Sequence, residues 1–141
     1  MKLTATQKLV YYLLQFTWGI IMNIFGLIGA GIMLALGHKP IRHGGALMFI
    51  VGKNWGGVSL GMFTFVNEGA SKRTMNHEFG HSLQNAVFGP LFPFIVAIPS
   101  FIRCQKFNSN IKKGIPNKEP YDAIWFEGQA TEWGTKEVDK W

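Results

Sequence analysis

The chain has 141 residues, of which 48% are hydrophobic and only 16% charged, with a net charge of +6. A charged fraction this far below the usual quarter points toward a membrane, and the scattered Lys and Arg residues form no dense basic run of the kind that holds nucleic acid. The single cysteine, Cys104, excludes both an intrachain disulfide and a cysteine-based zinc cluster.

This length buries one modest core. From Leu9 to Leu36, a stretch of 28 residues, there is no charged side chain. About 20 apolar residues span the hydrocarbon layer, and a signal peptide carries a shorter apolar core. Residues 1–36 are therefore expected to form a retained transmembrane or membrane-embedded helix, long enough to tilt in the lipid bilayer. Gly19, Gly26, Gly29, Gly31 and Ala35 would let another helix approach closely, including one from a second copy. The competing reading is a buried helix of a soluble core. Lys2 and Lys8 precede the stretch, and Lys39, Arg42 and Lys53 follow it. The orientation leans only slightly to a cytoplasmic carboxyl side.

Gly37–Gly45 reads as a loop. Two β-rich runs follow, Ala46–Val51 and Val58–Val66, joined by a Gly-rich piece as a β-hairpin. Phe63 and Phe65 alternate with Thr64 and Val66, which predicts a half-exposed strand. Ser71 is a credible N-cap and Gly89-Pro90 a stop, so a helix is expected over Lys72–Phe88. An apolar segment at 89–102, interrupted by Pro90, Pro93 and Pro99, reads as shallow or re-entrant. Arg103–Pro120 is expected to be a surface loop, and Tyr121–Val138 a final helix.

The helix over Lys72–Phe88 carries His77, Glu78 and His81, the spacing His-Glu-x-x-His. Residues four apart share one helix face, so the two imidazoles can grip one zinc ion (Zn2+) while Glu78 serves as general base to a water. A catalytic zinc needs a third protein ligand. Glu127 has Ile124, Ala130 and Thr131 on its helix face, and a carboxylate among such neighbours needs a partner. Glu132 has Gln129 and Lys136 instead and reads as solvated. Asp122 suits the first turn of the helix. Asn85, four residues after His81, is either a ligand-supporting group or a polar residue near the helix end. An oxyanion stabiliser is drawn from Tyr121, His43, His38 and Arg103, and the sequence does not rank them. His2Glu also suits neighbouring first-row metals.

These motifs resemble the zincin class of zinc metallopeptidases, in its gluzincin arrangement. "HEFGH" matches the first motif, and "EGQAT" is similar to the second. The resemblance implies an α+β, minimal zincin-like unit over 37–141: hairpin, active-site helix and second ligand helix. It implies metal ligands His77, His81 and Glu127, and Glu78 as catalytic base. Thr131 stands where an acidic residue would orient a ligating His. The strand before the active-site helix would pair with an extended substrate. The run from "HEFGH" to "WFEGQA" is also similar to small bacterial membrane-associated proteins, which implies a bacterial inner membrane without fixing the side of the active site.

The expected function is a membrane-associated zinc metallopeptidase acting on peptides or membrane proteins. The alternative is a non-proteolytic metal-binding membrane protein that serves as a partner or regulatory subunit. A purely structural membrane protein would bind no metal tightly.

Overall fold

A computed structural model describes residues 1–141. The fold is α+β, with five helices and one four-stranded mixed sheet.

The uncharged stretch is not one helix. It forms α1, Ala5–Phe16, and α2, Ile20–Ala35, bent by 88° at the break, and no single helix is long and apolar enough to cross a membrane. Thr4 opens α1 with a capping box shared with Gln7. The bend has a polar cause. The last carbonyls of a helix need partners, and here amide side chains supply them. Asn23 Nδ2 donates to the carbonyls of Gln15 and Gly19 at 2.9 and 3.0 Å. Asn85 Nδ2, from the helix that carries the His-Glu-x-x-His motif, donates to Gly19 O at 3.1 Å and to Gln15 Oε1 at 2.7 Å. Gln15 Nε2 in turn donates to Ser82 O at 2.8 Å. Gln15, Asn23 and Asn85 are all buried. The corner between α1 and α2 is thus bolted to the rest of the chain by hydrogen bonds.

The sheet also departs from the expected hairpin. Its strands are β1 (Ile41–His43), β2 (Ala46–Ile50), β3 (Gly57–Leu60) and β4 (Phe63–Val66), in the order β1-β2-β4-β3. The first strand lies in the stretch read as loop. The second β-rich run splits at Gly61-Met62 into the β3–β4 hairpin, so β2 pairs with β4 in parallel. Strand β4 is buried along its whole length, not half-exposed. Side chains alternate across a strand: Phe63 and Phe65 pack with Ala30 of α2 and with Phe49, and Thr64 and Val66 lie on the opposite face.

Helix α3 spans Lys72–Phe88, with the Ser71 hydroxyl accepting from Thr74 N at 3.1 Å. The chain then turns by 120° at Phe92, and the next helical segment opens with a π-helical turn, Pro93–Ala97. Phe92 and Val96 bury against Met22 and Phe126. The expected surface loop from Arg103 is instead helical: α4 runs Ile98–Lys112. Pro99 does not block it, because a first-turn N–H has no intrahelical partner to lose. The last helix starts later than expected. Tyr121–Ala123 is a separate 3-10 turn, Ile124 is extended, and α5 spans Trp125–Glu137.

Helix α5 lies directly against α3. Two glycines permit this: a Cβ on Gly80 would collide with the carbonyl of Ala130, and one on Gly134 with the carbonyl of Asn76. This backbone approach brings the motif helix and Glu127 together.

Candidate metal centre

His77 and His81 sit one turn apart on α3, and Glu127 sits in the first turn of α5. Glu127 Oε2 lies 3.1 Å from His77 Nε2 and 3.1 Å from His81 Nε2. The three donor atoms lie within 4.8 Å of one another. Ligands at 2.0–2.1 Å on a tetrahedral zinc would stand roughly 3.3 Å apart, so the spacing suits one small cation.

The hydrogen bonds behind the rings sharpen this point. Gln84 Nε2 donates to Phe126 O at 2.8 Å, which turns Gln84 Oε1 toward His81 Nδ1 at 2.7 Å. An amide oxygen only accepts, so His81 Nδ1 carries the hydrogen. Thr131 Oγ1 donates to Glu127 O at 3.2 Å and stands 2.9 Å from His77 Nδ1, which then donates to it. These tautomers follow from the network. In the neutral rings both Nε2 atoms present lone pairs, and both aim at a carboxylate oxygen. Three lone pairs converging on one buried point repel each other unless a cation lies between them.

A proton is the other cation that can relieve this repulsion, and a ring that takes one donates to the carboxylate through Nε2. Burial pushes the Glu127 carboxyl up, but hydrogen bonds from His77 and His81 outweigh it and hold the group well below the usual carboxylate range. Burial pulls His81 down, yet the bond to Glu127 and the charge of Glu78 outweigh it and leave the imidazole above its ordinary value. The metal-free site therefore draws in a proton. Glu127 is fully buried, and its Oε1 has no hydrogen-bond partner.

Glu78 lies beside this cluster. Its side chain is buried, Oε2 is unpartnered, and burial pushes its carboxyl above the carboxylate range against the pull of His77 and His81. A side chain at Gly57 of β3 would run into the Glu78 carboxylate. Edge strand β3 therefore passes directly over the general-base candidate. His77, Glu78 and His81 open into a cleft of about 1410 Å³, bounded by Gly57–Leu60 on one side and by α4 on the other.

The other candidates are placed as follows. Thr131 holds His77. Asn85 points away from the cluster, to the α1–α2 corner. Tyr121 lines the cleft with its ring 6.2 Å from that of His77, while its hydroxyl donates to Ser100 O at 3.4 Å. Arg103 is committed to the carbonyls of Tyr121 and Pro120 at 2.7 and 2.9 Å. His43 pairs with Asn76 at 2.8 Å, and His38 lies just past the turn that ends α2. Asp122 pairs with Arg73 at the cleft. Glu132 pairs with Lys136 on the surface. Sequence reasoning missed Gln84. Its only signal was a polar residue three positions after His81, where a helix brings side chains together.

No protein-family model, no curated protein and no solved structure matches this chain. The functional reading therefore rests on the site.

Proposed function

We propose that the chain is a zinc-dependent metallopeptidase that works at a membrane surface. The observation that carries this reading is the convergence of His77 Nε2, His81 Nε2 and Glu127 Oε2, with both Nδ1 atoms engaged behind. Two neutral imidazoles and a carboxylate with one open coordination position form a catalytic rather than a structural zinc donor set. When bound, zinc would polarise the scissile carbonyl and acidify a water.

The chain's own residues supply the remaining steps. Glu78, buried and with a free oxygen, takes the proton of the attacking water and returns it to the leaving amine. Edge strand β3 offers its backbone to an extended peptide by β-augmentation. The volume of the cleft exceeds that of a typical small-molecule site and suits several residues of chain. Sparse charge and broad exposed apolar faces on α1, α2 and α4 support work at a bilayer.

One observation favours a second reading, a metal-binding partner subunit without hydrolysis. The oxyanion candidates are occupied elsewhere: Tyr121 bonds Ser100 O, and Arg103 bonds two carbonyls. The experiment that separates the readings compares zinc-loaded wild type with Glu78→Gln on a mixed peptide substrate. A peptidase loses hydrolysis by at least ~100-fold, the usual scale of general-base catalysis, while keeping its zinc. A partner subunit shows no zinc-dependent hydrolysis in either form.

A further inference from the structure

Helix α4 has no buried residue. Arg103 ties it to the 120–121 segment through two hydrogen bonds. Along one side, from the end of α3 into α4, run Leu91, Phe94, Ile98, Phe101 and Ile102, all exposed; Phe94 is 69% exposed and Phe101 64%. Leu91 precedes the 120° turn, and beyond it Phe94, Ile98, Phe101 and Ile102 follow at helical steps of about three and four residues. After Ile102 the helix turns basic. Between Ile98 and Lys118 the chain carries Arg103, Lys106, Lys112, Lys113 and Lys118 and no acidic residue. Helix α2 adds a second apolar face, with Ile21, Ile24, Phe25, Ile28 and Ile32 exposed. The two elements join where Met22 packs on Phe92 and Val96.

The charge pattern selects the occupant. A second copy seated twofold on this surface would set each basic end against the other's basic end (helices parallel) or against its apolar stripe (helices antiparallel), and neither gives those charges a partner. An anionic leaflet matches both halves of α4: acyl chains take the apolar stripe, and headgroups take the basic end. Helix α4 also walls the metal cleft, through Phe101, Phe107 and Ile111. Two of these, Phe101 and Ile111, are among its exposed apolar residues.

From this we infer that α4 and the outer face of α2 dock on an anionic lipid leaflet, setting the mouth of the cleft at the leaflet surface, so that the substrates are peptide segments lying in the interface. The inference rests on the membrane half of the proposed function and is independent of zinc binding.

The test is flotation of the full chain with vesicles of phosphatidylcholine alone or of phosphatidylcholine mixed with phosphatidylglycerol. Partitioning onto the anionic vesicles is expected to be at least about tenfold stronger at low salt, and the difference should shrink as salt screens it. Combined Lys106→Glu, Lys113→Glu and Lys118→Glu, all exposed and outside the metal cleft, should abolish the preference. Phe94→Ser with Ile102→Ser should weaken binding to both vesicle types. His81→Ala should float like wild type, so a failure of the zinc reading leaves this result standing. Equal partitioning onto both vesicle types overturns the inference. So does a preference that survives the triple charge reversal, or a dimer that stays off both vesicle types.

Discussion

Gln84 and Thr131 decide how the two imidazoles present themselves. Each accepts from an Nδ1–H and so turns an Nε2 lone pair toward Glu127. Gln84→Leu or Thr131→Val should therefore lower zinc affinity roughly 10–100-fold, read by competition with a chelator, because such outer partners fix ring orientation and basicity. Glu132→Ala should leave it unchanged, since Glu132 bonds only Lys136 at the surface. Protons compete for the same lone pairs. His81 in the metal-free protein is raised above an ordinary imidazole, so zinc affinity should begin to fall at a pH higher than the ~6.5 of a free His and keep falling as the solution is acidified. A titration of zinc binding between neutral and mildly acid pH checks the sign. The three residues of the cluster are legible in the sequence. Spacing joined His77 to His81, and the cost of burying a lone carboxylate singled out Glu127 over Glu132. Gln84 was not legible, because a polar residue in a helix carries no mark of where its side chain is bound.

Helices α3 and α5 meet through Gly80 and Gly134, where added methyl groups would strike the carbonyls of Ala130 and Asn76. Gly80→Ala or Gly134→Ala should each destabilise the fold by about 1–3 kcal/mol or more, read as a lower melting temperature, and should weaken zinc binding by moving Glu127. Gly31→Ala on the outer side of α2, where a Cβ meets nothing within 4 Å, should instead stabilise by about 0.5–1 kcal/mol. By propensity alone Gly134 weakens its helix, whereas the structure places it where the α3 backbone comes too close for a Cβ. Other elements hid for related reasons. The α1–α2 break lies in an uncharged run, and hydropathy treats Gln15 and Asn23 as tolerable there. Yet their amides cap the corner. From Arg103 onward α4 is mostly polar and buries no face, so that part of the helix reads as surface loop. The parallel β2–β4 pairing depends on order across the sheet, which residue alternation does not encode.

The molecule as a whole is a sheet with α2 packed on Phe63 and Phe65, α3 close by, and α5 completing the site on α3. A metal shared by α3 and α5 would cross-link residues 77 and 127, which are far apart in the chain. Zinc at about 100 times its dissociation constant adds about 2.7 kcal/mol to the folded state. Chelation should therefore lower the melting temperature by about 5–10 °C in wild type and by nothing measurable in His81→Ala. The measurement to make first is zinc per chain by elemental mass spectrometry on detergent-purified protein, wild type beside Glu127→Ala. About one zinc per chain in wild type, lost in the variant, is the expected result for a tetrahedral site with three protein donors. Wild-type protein that holds no zinc after reconstitution, or a Glu127→Ala variant that holds it as tightly, would contradict a cation site at these three lone pairs.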